Sequence, residues 1–218
     1  MKYAFTLAAL LLPYSAFAAK TVEIRVAEGE QLFVLQQEME VGAQASFVGP
    51  VDSADGEARR KMIFNAVLTR EKKGGPYELQ YQIEVQGPAS GQVFQTQSAV
   101  AMVPGKKLVA AKAAGKTLTL KLLGKSKEPE AADNLRLTLK AGEKRAEQLV
   151  RAGSQANLVA GGKGSTMIFN VVIGTPPEAG KFSVQYQVEA NGRQAQNEAM
   201  LAPGDAKKDA QGFVIGME

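Results

Sequence analysis

One segment of this chain occurs twice, 105 residues apart. Met62-Ile63-Phe64-Asn65 recurs as Met167-Ile168-Phe169-Asn170, and the same offset aligns residues 61–87 with 166–192 without a gap. Eleven of these 27 positions are identical and about half of the others exchange similar residues, so chance is a poor explanation. Similarity at a fixed spacing indicates a duplicated structural unit. The fold must therefore accommodate two equivalent halves.

The similarity continues on both sides of this segment, but the offset changes. It is 113 at Gly29/Gly142, 111 for residues 42–48 against 153–159, and 99 at Pro104/Pro203. Such changes indicate insertions and deletions in loops, where they are tolerated. The polar, proline-bearing segment at 125–133 suits a linker. We therefore divide the chain into copy 1 (19–124), a linker (125–133) and copy 2 (134–218).

Each copy has the pattern of β-strands. Tyr77–Val85 alternates apolar and polar residues, as does Phe182–Ala190, and this period of two is typical of a half-buried strand. Each is followed by a short turn and a second strand, so both predict hairpins. About seven such runs per copy have the size and spacing of an immunoglobulin-like sandwich. The sequence thus predicts an all-β fold of two tandem immunoglobulin-like domains, with at most one helical turn near 128–133.

The first eighteen residues have the layout of a signal peptide. A positive start is followed by an uncharged, mostly apolar run over 4–13 and by the small-residue pattern Ala16-Phe17-Ala18. The apolar run is shorter than the ~20 residues that a membrane-spanning helix needs. We expect cleavage after Ala18, a periplasmic or secreted protein, and no membrane span in the mature chain.

The composition excludes several kinds of chemistry. The chain has no histidine and no cysteine, and therefore no imidazole base, thiolate nucleophile, disulfide or iron–sulfur ligand. A carboxylate pair such as Glu38 and Glu40 leaves a hydrolase open as a weak alternative. The polar run Asp52–Glu57 departs from calcium-loop spacing and is expected to be an ordinary loop. We predict no catalytic residue, no metal site and no cofactor.

Two groups of polar residues are candidates for an interaction surface. The first group occupies one face of the repeated strands, where it is either simply solvated or forms a polar ladder for a partner. On the other face, Tyr81 and Tyr186 are expected to lie in the core with their hydroxyls bonded to backbone groups. The second is a lysine-rich stretch, because residues 106–127 hold seven lysines and no acid. The candidates are Gln80, Gln82, Glu84, Gln185, Gln187 and Glu189 in the first group and Lys106, Lys107, Lys112, Lys116 and Lys121 in the second.

The lysine stretch has two interpretations. It could steer an acidic partner, or it could protect a sheet edge or simply solvate the surface. Nucleic acid is not expected, because arginines and aromatics are not interleaved and no recognition motif is present. The uncharged run Met167–Ile173 would be an aggregation hazard if exposed, so we expect it to be a central strand.

These observations favour a non-enzymatic, exported binding or assembly module. It would engage a protein partner, such as an acidic protein or a fibre or secretion subunit, through sheet edges and a charged face. The alternative is a structural subunit of a surface appendage or envelope complex. Fold alone does not decide between these functions.

Overall fold

The computed structural model describes residues 19–70, 75–87, 93–125, 134–161, 166–174 and 180–218. Within these ranges the chain is all-β, as predicted, and contains no helix. The expected signal peptide, the expected helical turn and all of the expected linker except Lys125 lie outside the described residues. No helix capable of crossing a bilayer occurs in the described ranges.

Each copy contributes eight strands. Those of copy 1 are β1 (Lys20–Glu28), β2 (Gln31–Met39), β3 (Gln44–Asp52), β4 (Arg59–Thr69), β5 (Tyr77–Gln86), β6 (Val93–Met102), β7 (Lys107–Ala113) and β8 (Lys116–Leu122). Those of copy 2 are β9 (Asn134–Ala141), β10 (Lys144–Arg151), β11 (Gln155–Gly161), β12 (Met167–Ile173), β13 (Phe182–Ala190), β14 (Arg193–Leu201), β15 (Ala206–Lys208) and β16 (Val214–Met217).

The strands form two antiparallel sheets that both copies share. Sheet A has the order β15-β16-β9-β10-β7-β8-β1-β2, and sheet B has the order β14-β13-β12-β11-β6-β5-β4-β3. Each copy supplies four adjacent strands to each sheet, and corresponding strands occupy the same places in that order. The sequence repeat is therefore also a repeat in topology.

The two copies meet along a seam, which we define as β7 with β10 in sheet A and β6 with β11 in sheet B. Ala146–Gln148 pairs with Ala111–Ala113, and Asn157–Gly161 pairs with Val93–Gln97. This arrangement differs from the predicted tandem of separate sandwiches, because the sheets continue across both copies. Within each copy the chain passes from sheet A to sheet B after its second strand and returns after its sixth, and the eighth strand pairs with the first.

A single hydrophobic core runs between the two sheets and through both copies. Because side chains alternate across a strand, the inner faces carry the apolar residues that the sequence pattern assigned to the interior. Phe64 and Phe169, equivalent residues of the repeated segment, are completely buried, and Tyr81 and Tyr186 are nearly so. The Tyr81 hydroxyl lies beside that of Thr96 rather than bonding to backbone, and burial raises the pKa of Tyr81.

The predicted central strand Met167–Ile173 is β12, which pairs with β11 on one side and β13 on the other. Its alternate residues are buried, and its backbone is paired along both sides. The chain thus keeps this aggregation-prone run inside a sheet, as expected for a sequence rich in β-formers without charge.

Polar side chains connect the two sheets at the seam. Gln148 is completely buried on β10, and its Nε2 donates to Thr96 Oγ1 at 2.9 Å and to the carbonyl oxygens of Gln97 at 3.0 Å and Asn157 at 2.9 Å. Close by, Ser98 Oγ donates to the Leu149 carbonyl at 2.8 Å. Because buried amides and carbonyls are costly when unpaired, these bonds specify how the sheets align at the seam.

Candidate functional site

The six Gln and Glu candidates all lie on the outer face of sheet B. Gln80, Gln82 and Glu84 are on β5, and their counterparts in copy 2 are on β13. The structure brings both groups onto the same surface, because β5 and β13 are strands of one sheet separated by β6, β11 and β12.

A row of carboxamides crosses this sheet at the level of Gln82. Strand register places one residue of each strand directly opposite the next, and all but the first are Asn or Gln. The amide row consists of Ser46, Asn65, Gln82, Gln97, Asn157, Asn170, Gln187 and Gln196. With strands about 4.8 Å apart, eight strands give the row a length of about 33 Å.

Hydrogen bonds between neighbours orient part of this row. Asn157 Nδ2 donates to Asn170 Oδ1, and Asn170 Nδ2 donates to Gln187 Oε1 at 3.3 Å. Each carboxamide has two donor hydrogens and an acceptor oxygen with two lone pairs. Neighbour bonding therefore leaves donors and acceptors along the row for a ligand.

The rows on either side of the amide row carry neither cationic nor aromatic side chains. They add more amides, three glutamates and small or aliphatic residues. One row holds Gln44, Val67, Gln80 and Ala99 from copy 1 with Gln155, Val172, Gln185 and Glu198 from copy 2, and the other holds Val48, Ile63, Glu84 and Gln95 with Val159, Ile168, Glu189 and Gln194. We call the three rows together the amide face.

Two open cavities lie on the amide face. One has a volume of about 780 Å³ and is lined by residues such as Asn170 and Gln187, and the other has a volume of about 440 Å³ and is lined by residues such as Asn65 and Gln82. Both are lined by Gln97 and Gln155, which stand on opposite sides of the seam. The two cavities are therefore neighbours at the junction of the copies.

The amide face is more alike in the two copies than the core beneath it. Ten of its twelve equivalent pairs are identical, the exceptions being Ser46/Asn157 and Ala99/Glu198. Among the inner-face positions of the same strands (45–49, 62–68, 79–85 and 94–100), four of fifteen are identical: Ala45, Met62, Phe64 and Tyr81. Surface substitutions usually change stability by no more than about 0.5 kcal/mol, so stability alone does not hold such positions fixed. The similarity between the copies is therefore concentrated on the outer face of sheet B rather than in the core.

The lysine candidates do not form a comparable surface. Lys106 and Lys107 are exposed, Lys112 pairs with Glu147 at 3.3 Å, and Lys121 stands opposite Glu23 on β1. The interpretation as edge protection is wrong for β7 and β8, because both strands have paired neighbours on each side. Acids of other strands thus pair with two of these lysines, Lys112 and Lys116.

Lys116 is buried rather than exposed. It shares a face of β8 with Leu118 and Leu120, and its ammonium contacts Glu28 Oε1 at 3.0 Å. Arg60 Nε contacts the other oxygen of Glu28 at 3.2 Å. Burial works against ionisation of Glu28, but hydrogen bonds from Lys116 and Arg60 outweigh it, so the pKa of Glu28 lies below its ordinary value.

The Glu28 cluster predicts a loss of stability in acid. A carboxyl whose pKa is lower in the folded state stabilises the fold above the unfolded-state value, here 4.5, and this stabilisation disappears as the pH falls through the folded-state pKa. We expect Glu28→Gln to lower the free energy of unfolding at pH 7 by about 1–3 kcal/mol, less than for a fully buried pair. As the pH falls below 4.5 and through the folded-state pKa of Glu28, the variant and the wild type should converge.

Urea unfolding at pH 7, 5, 4 and 3 measures this difference. Glu38→Gln is the control, because Glu38 is an exposed carboxylate on the adjacent strand. A Glu28→Gln deficit that stays constant from pH 7 to pH 3 would show that the ionised cluster does not stabilise the fold.

The carboxylates considered as catalytic residues or calcium ligands do not line an acidic cleft in the part of the chain that the structure describes. Glu38 and Glu40 are both exposed at the end of edge strand β2. In the loop at 52–57, Asp55 Oδ1 accepts hydrogen bonds from Ser53 Oγ and from the Glu57 N–H, which lower the pKa of Asp55. Its carboxylate thus organises the loop itself.

Six members of the amide row were not among the candidates from sequence: Ser46, Asn65, Gln97, Asn157, Asn170 and Gln196. A signal for four of them was present, because Asn65/Asn170 and Gln97/Gln196 are identical pairs of the repeat. The sequence pattern does not give the strand register that places them in one row.

Comparisons with protein-family models, curated proteins and solved structures returned no match for this chain.

Proposed function

We propose that this chain is a non-enzymatic binding module that holds its ligand on the amide face of sheet B. The observation that carries the proposal is the near-identity of this face in the two copies while the core has diverged. The predicted signal peptide supports an exported location, in the periplasm or outside the cell. Each copy would retain an immunoglobulin-like size and sandwich form within the joined structure.

The chemistry of the face favours a neutral, polyhydroxylated chain, that is, a glycan. Carboxamides both donate and accept hydrogen bonds, as sugar hydroxyls do. The face lacks the cations that an anionic polymer would require, and it lacks the aromatic and arginine anchors that dominate protein interfaces. Each contact contributes only about 0.5–1.5 kcal/mol, but a row about 33 Å long lets many such contacts act on one chain.

Titration with neutral polysaccharides tests this function. Dextran, mannan and a soluble β-glucan are the probes, with alginate as the anionic comparison, and affinity electrophoresis or calorimetry is the readout. We expect at least one neutral polymer to bind. The double variant Gln82→Ala/Gln187→Ala should weaken that binding about tenfold or more, because it removes equivalent amides of both copies.

Lys107→Ala is the matched control, since Lys107 is exposed on sheet A. It should leave glycan binding unchanged. Thermal unfolding should show that the double variant keeps its fold, because the altered side chains point outwards. Binding to alginate alone, lost in Lys107→Ala, would instead favour a charged face, and absence of binding to every glycan tested would remove the proposed ligand class.

A protein partner is the second candidate, through strand addition. The observation that favours it is the position of β14 at the outer edge of sheet B, where β13 is its paired neighbour. An extended segment of a fibre or secretion subunit could pair with this edge. A proline at a β14 position whose backbone N–H points away from β13 would weaken such a complex, because it removes a donor for the added strand. Gln82→Ala would leave the complex unchanged.

A further inference from the structure

The seam joins two different edges of the repeated unit. Copy 2 contributes β10 and β11, which correspond to β2 and β3, while copy 1 contributes β7 and β6, which correspond to β15 and β14. Among the strands that the structure describes, the outermost are β2 and β3 at one end and β14 and β15 at the other, and they correspond to the strands that pair at the seam. A head-to-tail contact of this kind can repeat from molecule to molecule into rings or filaments.

The first departure from the repeat lies on the β2 edge. Between the aligned parts of the two strands, copy 1 has residues 50–61, which include the β3–β4 connection, where copy 2 has residues 161–166, so copy 1 is six residues longer here. In this longer connection Ser53 forms a β-bridge with Phe33, and the Ala54 N–H donates to the Leu32 carbonyl at 2.7 Å. At an offset of 113, Phe33–Leu35 corresponds to Ala146–Gln148, the segment that pairs with β7. The extra residues thus occupy the edge that copy 2 uses at the seam.

The second departure lies on the β15 edge. Equivalent bonds from Gly105 N–H to the Leu122 carbonyl and from Gly204 N–H to the Met217 carbonyl align the β7/β8 and β15/β16 hairpins at their bases. Strand β7 continues to Ala113, but β15 stops at Lys208 and the chain turns back over 209–212. Ala111–Ala113, which pair with β10, therefore have no paired counterpart in copy 2.

We propose that the two outer edges of sheet A correspond to the seam strands but are blocked. The partner that they are blocked from pairing with is a second copy of this chain. The longer β3–β4 connection covers the acceptor edge, and the shortened β15/β16 hairpin removes the donor strand. Each change falls at positions equivalent to the residues that pair at the seam between copies 1 and 2. One molecule consequently does not add further molecules head to tail through sheet A.

Reversing the two caps tests the proposal. One graft replaces residues 50–61 by the copy 2 connection 161–166, and the other replaces 206–214 by 107–119 of copy 1. Sedimentation velocity on the full chain at increasing concentration is the readout. We expect the wild type and each single graft to remain monomeric, and the double graft to form dimers and longer species. Arg60→Ala controls for loss of the Arg60–Glu28 ion pair in the first graft.

A second measurement applies if the double graft does not fold. A labelled peptide covering 107–121 should bind the first graft and not the wild type, as read by fluorescence anisotropy. A folded double graft that stays monomeric overturns the proposal, as does failure of the peptide to bind the folded first graft. Wild-type association that protects the Leu32–Leu35 amides from hydrogen exchange would also overturn it.

Discussion

Replacing Phe169 by alanine should destabilise the entire molecule, by about 3–5 kcal/mol, in one unfolding transition. Phe169 is completely buried on β12, and its removal leaves a cavity between the sheets. The effect spreads to copy 1 because both copies share one core and both sheets run across the seam. Against a typical total of 5–15 kcal/mol, this is a large share of the stability.

Calorimetry and urea unfolding measure this effect. The matched variant is Phe64→Ala, which truncates the equivalent residue of copy 1. Both variants should give a single transition whose calorimetric and van't Hoff enthalpies agree, shifted by similar amounts. Two separate transitions, with Phe64→Ala moving one and Phe169→Ala moving the other, would show instead that the copies unfold as independent domains.

Replacing Gln148 by leucine is the second change with a large expected effect, about 2–3 kcal/mol. Leucine fills a similar volume, but it leaves Thr96 Oγ1 and the carbonyls of Gln97 and Asn157 without the Nε2 donor. The Gln148 Oε1 has no hydrogen-bond partner among the described residues, so its removal offsets part of the loss. The net effect remains destabilising because the two hydrogens of Nε2, which three acceptors share, are lost.

Leu35→Gln is the control for this prediction. Leu35 is the equivalent position of copy 1 and is half-buried on the outer strand β2, where an amide can reach water. Its free energy of unfolding, measured in urea, should change by less than about 1 kcal/mol. If Gln148→Leu were as stable as the wild type, the buried amide would not be needed to hold the seam.

The sequence pattern predicted the all-β class and the buried face of the repeated strands, but it gave about seven strands per copy where the structure has eight. The alternation along Tyr77–Val85 and Phe182–Ala190 matches the buried and exposed positions of β5 and β13. The same alternation would have placed Lys116 on the inner face beside Leu118, although its partner Glu28 lies on another strand.

The seam and the amide row could not be predicted in this way. Periodicity shows which face of a strand is buried, but it does not say which distant strand lies next to it. The β7–β10 pairing involves three residues from each strand, separated by the linker, and leaves no pattern in either. The amide row depends on the register of eight strands at once. Asn157 can therefore be recognised as a member of the row only once Gln97 is known to lie opposite it.

The seam also has a consequence for how this chain reaches its native state. Its pairs join segments far apart in sequence, such as Val93 with Gly161, and contacts of that kind form late because the loop-closure entropy comes first. Until copy 2 docks, strands β6 and β7 of copy 1 present unpaired backbone that a neighbouring molecule can occupy. Refolding yield should therefore fall as chain concentration rises, even though the finished structure has its sheet A edges covered.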